Sequence, residues 1–199
     1  MMAAQTLLPR MDATSGRYGY VDERGCFVIA AKYDYAHRFD GEYAVVRSEG
    51  LCGFINREGE VVVAPLFPKV GCFSEGLFRV LDGSDHLWRF LNEEGLPAFE
   101  GKYLFVGDFH DGMAVYAVKD DAGQTCFGYL GRDGSVAVEA VYAYAFDFKD
   151  GYGKVVLDFA GEMPRYGFVG KDAAIVVPCV YSEEDAETQL NRERKLKDF

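Results

Sequence analysis

The side chains able to carry proton, metal or nucleophile chemistry are few and scattered. Three histidines (His37, His86 and His110) and five cysteines (Cys26, Cys52, Cys72, Cys126 and Cys179) stand among 199 residues. No H-x-x-x-H, C-x-x-C or H-E-x-x-H spacing joins them, so no transition-metal site is expected. A thiol nucleophile and an imidazole base would have to meet through folding alone, as Cys72 and His110 would, and nothing in the pattern selects such a pair. A hydrolase is therefore the least favoured reading. No glycine-rich phosphate loop and no G-x-S-x-G elbow occurs. Asp82-Gly83-Ser84-Asp85 and Asp120-Asp121 are too short to supply the alternating oxygen ligands of a calcium loop. The expectation is a protein without catalytic residues, metal or cofactor.

Charge narrows the partners. The formal net charge is −11, which repels phosphate backbones and anionic headgroups, so neither nucleic acid nor a membrane is expected. A basic protein suits this surface. No apolar run approaches the roughly 20 residues that span a bilayer. The stretch Met1 to Arg10 lacks the basic start and long apolar core of a secretion signal. The cysteines are odd in number and scattered, which reads as free thiols in a reducing, cytoplasmic setting.

The elements that would position any functional group announce themselves by repetition. An aromatic-Gly-aromatic triplet occurs at Tyr18-Gly19-Tyr20, Phe127-Gly128-Tyr129 and Tyr166-Gly167-Phe168, with degenerate copies at Cys52-Gly53-Phe54 and Trp88-Arg89-Phe90. The centres are 19, 53, 89, 128 and 167, in steps of 34, 36, 39 and 39. Six residues after each centre come Gly25, Gly59, Gly95, Gly134 and Ala173; fourteen after come Tyr33, Phe67, Tyr103, Tyr142 and Tyr181. Twenty after the first four come Phe39, Phe73, Phe109 and Phe148, each followed within three positions by a glycine. Fixed offsets of this kind mark stacked supersecondary units.

Each landmark has a structural meaning. The triplet opens a strand, with its two aromatics on one face and Gly19, Gly53, Gly128 or Gly167 on the other. A glycine inside a strand marks a close approach, here expected from an aromatic ring of the neighbouring repeat. Asp22-Glu23-Arg24-Gly25 and its counterparts suit a tight turn closed by a left-handed glycine. A second strand follows, then a connection whose offset-14 and offset-20 aromatics plug the core, then a third strand that reaches the next triplet through another hairpin. Residues 1–15 read as a flexible lead. The repeats span about 16–47, 50–81, 86–118, 125–157 and 164–181, and 182–199 reads as a helical cap or tail that opens on Ser182-Glu183-Glu184-Asp185.

These units resemble the WG-repeat family, also called KWG repeats. Gly19-Tyr20-Val21-Asp22, Gly25, Val28-Ile29, Tyr33-Asp34, Ala36, Phe39, Gly41 and Ala44-Val45-Val46 carry the likeness, and the second copy adds Ala64-Pro65-Leu66-Phe67 and Phe73-Ser74-Glu75-Gly76. The likeness covers about residues 16 to 181. No copy keeps a tryptophan before the glycine; Tyr18, Cys52, Phe127 and Tyr166 fill that slot, and Trp88 precedes Arg89. The resemblance implies a divergent, repetitive β protein of interaction type, with no catalytic residue to carry over.

The expected fold is all-β: tandem antiparallel hairpins in an open, twisted, solenoid-like array, with propeller-like closure as the alternative and a short C-terminal helix. The function that suits it is a protein-binding scaffold. The hairpins joining the third strand to the next triplet are read as lengthening along the chain, and their tips carry Glu49, Asp82, Asp85, Asp120, Asp121, Asp158 and Glu162. Such an edge would meet a basic protein partner. The alternative is a carbohydrate- or cell-wall-binding module, for which a row of exposed aromatics would be the sign.

Overall fold

The protein is described by a computed structural model over residues 6–158 and 163–197. Among these residues the chain forms five antiparallel sheets and one helix. β1 (Leu8–Met11), β2 (Tyr18–Val21) and β3 (Phe27–Tyr33) make the first sheet. β4 (Tyr35–Ala36), β5 (Tyr43–Ser48), β6 (Leu51–Asn56) and β7 (Val61–Phe67) make the second, and β8 (Lys69–Ser74), β9 (Leu77–Leu81) and β10 (Trp88–Leu91) the third. β11 (Phe105–Val106), β12 (Met113–Lys119), β13 (Thr125–Gly131) and β14 (Val136–Tyr142) form the fourth. β15 (Tyr144–Ala145), β16 (Tyr152–Val156), β17 (Tyr166–Gly170) and β18 (Ile175–Tyr181) form the fifth, followed by α1 (Glu183–Lys197). Among the described residues, strands lie in chain order within every sheet and no sheet closes into a barrel. The chain divides into two compact units within the third hairpin: residues to His86 with Phe90–Pro97, and Leu87–Arg89 with the residues from Ala98.

Sheet and sequence repeat are out of phase by one strand. Each sheet takes the third strand of one repeat and the triplet hairpin of the next. The supposed flexible lead therefore has a structural job. Leu8–Met11 pairs with Tyr18–Val21 and supplies the strand that the first triplet would otherwise lack.

The triplet glycine is explained by register. Tyr18 lies opposite Tyr33 and Tyr20 opposite Ile29, so two steps along β2 face four along β3, and β3 bows into a bulge. The same mismatch occurs at Cys52/Phe67 with Phe54/Val63, at Phe127/Tyr142 with Tyr129/Val138, and at Tyr166/Tyr181 with Phe168/Val177. The bowed backbone crosses directly over the glycine. A Cβ on Gly19 would lie 2.4 Å from the Ile29 carbonyl oxygen, and on Gly128 2.4 Å from that of Val138. The close neighbour is thus the main chain of the partner strand in the same hairpin, not an aromatic ring of the next repeat. In the third copy, where Arg89 holds the slot, the end pairs Leu91–Pro97 and Trp88–Tyr103 persist but residues 98–102 form no strand.

The turns also repeat. Gly25, Gly59, Gly95 and Gly134 have φ of 75–84° and donate to the carbonyls of Asp22, Asn56, Asn92 and Gly131. Ala173 takes the fifth copy at φ 61° and donates to Gly170. A Cβ in the left-handed region costs about 1–2 kcal/mol. Ala173→Gly is therefore expected to raise stability by about 0.5–1 kcal/mol after the added freedom of the unfolded chain is subtracted. A denaturation midpoint that fails to rise would contradict this.

The core is a series of clusters between successive layers. In the first unit, Tyr20, Ile29, Ala44, Val46 and Ile55 pack between the first two sheets, and Phe54, Val63, Phe78 and Val80 between the next two. In the second unit, Tyr129, Val138, Phe148, Val155 and Val169 do the same. The landmark aromatics occupy matching environments: Tyr20 and Phe39 lie 4.8 Å apart, Tyr129 and Phe148 4.7 Å. Tyr20 Oη donates to the His37 carbonyl and Tyr129 Oη to that of Phe146, both at 2.7 Å, and burial pushes both phenols far above their ordinary pKa. Tyr33 Oη, by contrast, is buried without a hydrogen-bond partner among the described residues. Phe67 fills the equivalent slot in the second copy. Tyr33→Phe should then be neutral or stabilising by up to about 1 kcal/mol, whereas Tyr20→Phe removes a hydrogen bond made by a fully buried side chain and costs about 1 kcal/mol. Parallel urea titrations with both variants shifted the same way would refute the contrast.

α1 takes the place of a next sheet. Ser182 Oγ accepts from the Asp185 amide at 3.2 Å and starts the helix. Ala186 and Leu190, one turn apart, are buried against Phe168 and Val177.

Candidate functional surface

Two surface features recur from repeat to repeat: the hairpin tips and a row of half-exposed side chains beside them. The tips between sheet partners cover residues 12–17, 49–50, 82–87, 120–124 and 157–165, or 6, 2, 6, 5 and 9 residues. Their lengths do not grow steadily along the chain, because the tip before the first triplet already has six. Glu49, Asp120 and Asp121 are exposed, and Asp82, Asp85 and Asp158 half-exposed. Glu162 lies outside the described residues. Several of the acids also hold their own loops. Asp82 Oδ1 accepts from the Ser84 amide at 2.7 Å, and Asp120 Oδ1 from the Gln124 amide at 2.7 Å. Asp12, an acid of the first tip that sequence reasoning passed over, accepts from the Ser15 amide and hydroxyl. These bonds hold its carboxyl below the usual carboxylate pKa. In the first unit Asp34 bridges neighbouring tips: it pairs with Arg17 of one and accepts from the Glu49 amide of the next at 2.5 Å.

The second feature follows from the register. The first residue of each triplet always lies opposite the aromatic fifteen positions on, and the cross-strand line extends to the outer strands. In the second sheet the line reads Tyr35, Arg47, Cys52, Phe67. In the fourth it reads Phe105, Ala117, Phe127, Tyr142, and in the fifth Tyr144, Val156, Tyr166, Tyr181. In the second unit the half-exposed aromatic rings follow one another from sheet to sheet. Phe105 meets Phe127 at 6.3 Å, Phe127 meets Tyr144 at 5.1 Å, Tyr144 meets Phe146 at 5.0 Å, and Phe146 meets Tyr166 at 6.5 Å. Phe105 and Tyr144 are each 42% exposed, and the other three are half-buried. In the first unit Tyr18, Tyr35 and His37 stand in the corresponding places, with centroids 5.3 and 5.0 Å apart. The sequence signal was available: the first triplet position and the positions 17 and 19 beyond it. Alternation alone puts both triplet aromatics on one face and does not separate them, whereas Tyr20 and Tyr129 are buried and Tyr18 and Phe127 half-exposed.

The groups capable of chemistry are spread over these features: His86 lies in the 82–87 tip, His37 beside Tyr35, Cys52 on the line of the second sheet and Cys126 beside Asp120. His37, His86 and His110 are exposed. His110 Nε2 stands 3.7 Å from Asp147 Oδ2. Cys26, Cys52, Cys72, Cys126 and Cys179 are free thiols, with Cys72 in the first unit and His110 in the second. Desolvation and the adjacent Asp120 carboxylate push the Cys126 thiol up, and burial does the same to Cys179, opposite to the shift that activates a nucleophile. Among the described residues no group of three or more His, Cys, Asp or Glu side chains is placed to hold a metal ion. No helix among them is long and apolar enough to cross a membrane. A cleft of about 510 Å3 lies between α1 and the fifth sheet, lined in part by Phe146, Tyr152, Lys154, Glu187 and Arg194. Its charges answer one another. Lys154 Nζ reaches Glu183 at 2.5 Å and Glu187 at 3.3 Å; burial opposes its charge, but these carboxylates prevail and raise its pKa. Arg194 lies over the Tyr152 ring and pairs with Asp150 at 3.4 Å. The cleft is the seat of the helix.

The same register at four hairpins and the same turn at five, joined by loops of unequal length, define a tandem β-hairpin repeat protein. The description "WG containing repeat" fits three stretches of it, residues 18–52, 53–84 and 127–158, and the chain belongs to the WG-repeat family. A comparison with curated protein sequences finds no match.

Proposed function

We propose that the protein is a non-enzymatic binding scaffold whose hairpin tips present carboxylates to a basic protein partner. What carries this reading is the division of labour within the repeat. Glycines, turn residues and core aromatics recur in equivalent environments from hairpin to hairpin, while length and side-chain identity vary at the tips. A scaffold that spends its recurring residues on stacking leaves its loops free to diversify. In each unit the tips present accessible carboxylates, Glu49 and Asp85 in the first and Asp121 and Asp158 in the second, in keeping with the net charge of −11.

The test compares the intact chain with a variant carrying Glu49→Gln, Asp82→Asn, Asp85→Asn, Asp120→Asn, Asp121→Asn and Asp158→Asn. Amide replacements keep the oxygen that closes the turns at positions 82 and 120, so the fold survives while the charge goes. Proteins captured from native lysate by the intact chain should be basic and should be lost with the variant and at raised ionic strength. An unchanged set of captured proteins would remove the acidic edge from consideration.

A further inference from the structure

We infer that the outer edge of β1 takes up an extended segment of a partner protein, one in which an aromatic residue is followed by an acidic one. The inference does not depend on the acidic tips and concerns a different surface of the first unit.

The edge is defined by comparison within the chain. The strand that leads into each later tip is paired on its outer side by the connection before it: β5 by β4, β9 by β8, β12 by β11 and β16 by β15. β1 is the corresponding strand of the first sheet, and among the described residues it pairs with β2 alone. Its backbone is aimed as theirs is. Asp12 donates to Arg17 at 2.8 Å, so the bonds to β2 fall on Arg10 and Leu8, and the main-chain groups of Pro9 and Met11 point the other way. Pro9 lies opposite the third triplet residue, as Val45, Val115 and Lys154 do, and Met11 lies opposite the first, as Arg47 and Ala117 do. Those residues act as acceptors. The Val45, Val115 and Lys154 carbonyls receive the amides of His37, Gly107 and Phe146 at 2.9, 2.8 and 3.0 Å. The Arg47 and Ala117 carbonyls receive those of Asp34 and Leu104 at 2.8 and 3.1 Å. A proline keeps its carbonyl, so Pro9 can accept as they do. It also removes a donor that pairing with another β1 would use, which disfavours self-association at this edge and leaves it open to a segment that donates.

The side chains set the chemistry of that segment. The residues paired at this edge elsewhere are an aromatic and then a small one: Tyr35 and Ala36 opposite Arg47 and Val46, Phe105 and Val106 opposite Ala117 and Tyr116, Tyr144 and Ala145 opposite Val156 and Val155. Met11, 52% exposed, offers its thioether opposite the aromatic place. The small residue faces a buried apolar one, Val46, Tyr116 or Val155. In β1 that place belongs to Arg10, which is exposed and has no ion pair among the described residues. A carboxylate directly across from it makes a favourable cross-strand pair, where alanine or valine would leave the guanidinium unanswered.

Fluorescence anisotropy on the full chain tests this with a labelled peptide, Tyr-Asp-Tyr-Glu-His-Arg-Phe, which is the chain's own 33–39 segment with glutamate in the place of Ala36. One control carries lysine instead of that glutamate. A second is N-methylated at the aspartate and histidine amides, the two that donate in the second sheet. The expected result is saturable binding of the glutamate peptide, binding weaker by about fivefold or more with lysine, and none with the methylated peptide. The net charge of −11 favours the lysine peptide, so a preference for glutamate reports on Arg10 itself. Arg10→Glu should invert the order of the two peptides while leaving the thermal midpoint within a few degrees. Hydrogen exchange at the Met11 amide should slow when the glutamate peptide is bound. If no peptide binds, if the methylated peptide binds as the parent does, or if Arg10→Glu leaves the order unchanged, the inference is overturned, and the acidic-tip reading stands apart from that result.

Discussion

Gly128→Ala is expected to destabilise the protein by about 3 kcal/mol or more, the largest effect of any single methyl group added to the second unit. The added carbon would stand 2.4 Å from the Val138 carbonyl oxygen and 2.8 Å from Glu139 C and Ala140 N. All three are main-chain atoms, so no side-chain rotation relieves the overlap. β14 would have to lift, and the register that pairs Phe127 with Tyr142 and Tyr129 with Val138 depends on its bowing over this point. Val138, Tyr129 and Tyr142 belong to one buried cluster, so the displacement spreads into the core. Folded domains have about 5–15 kcal/mol in total, which makes this a substantial part of the whole. Gly123→Ala is the control. It lies in a tip with open space around it at φ +77°, and should cost only about 1–2 kcal/mol from backbone strain. Hydrogen exchange should show residues 137–141 losing protection in the Gly128 variant. A urea midpoint within 1 kcal/mol of the parent would show that the bulge yields easily and that the glycine is not demanded by it.

The third copy is the same experiment made in the chain itself. With Arg89 in place of glycine, the pairs at both ends of the hairpin remain and the arch between them opens into residues 98–102, which form no strand. This explains what could be read from sequence and what could not. Fixed offsets disclosed the hairpins, the turns at Gly25, Gly59 and Gly95 and the core places of Phe148 and Tyr142, because each is a local constraint that leaves a residue type behind. The bulge left only its glycine. Close approach was legible, but whether a ring or a backbone approached depended on register, which no single position records. The role of Leu8–Met11 was hidden for a similar reason. An edge strand holding Pro9 and Arg10 has little pattern of its own and is defined by the partner it pairs with. The tips were legible as acidic loops. The aromatic row was not, because its members come from four strands and a connection. Only the pairing of Phe105 through Ala117 to Phe127, and the contact of Phe127 with Tyr144, brings them into line.

Leu190→Ala is expected to release the C-terminal helix from the last sheet, with a loss of about 2–4 kcal/mol. Along α1, Ala186 and Leu190 alone are buried among the described side chains, so Leu190 supplies most of the apolar area that holds the helix in place. The polar contacts around it are weaker supports. The Arg194–Asp150 and Lys154–Glu187 pairs are at the surface and are worth less than about 1 kcal/mol each. A helix of 15 residues is marginal in water once undocked, so the lost contact should appear as lost helix and not merely as a cavity. The expected readings are a fall in ellipticity at 222 nm and a lower thermal midpoint. Self-association should also grow with concentration, because Phe168, Val177 and Tyr152 lose the cover that the helix gives their cluster. Arg194→Ala should change the midpoint by only a few degrees. If Leu190→Ala leaves both helical signal and midpoint as they were, the helix is held by its charges, and the view of α1 as the layer that ends the stack is wrong.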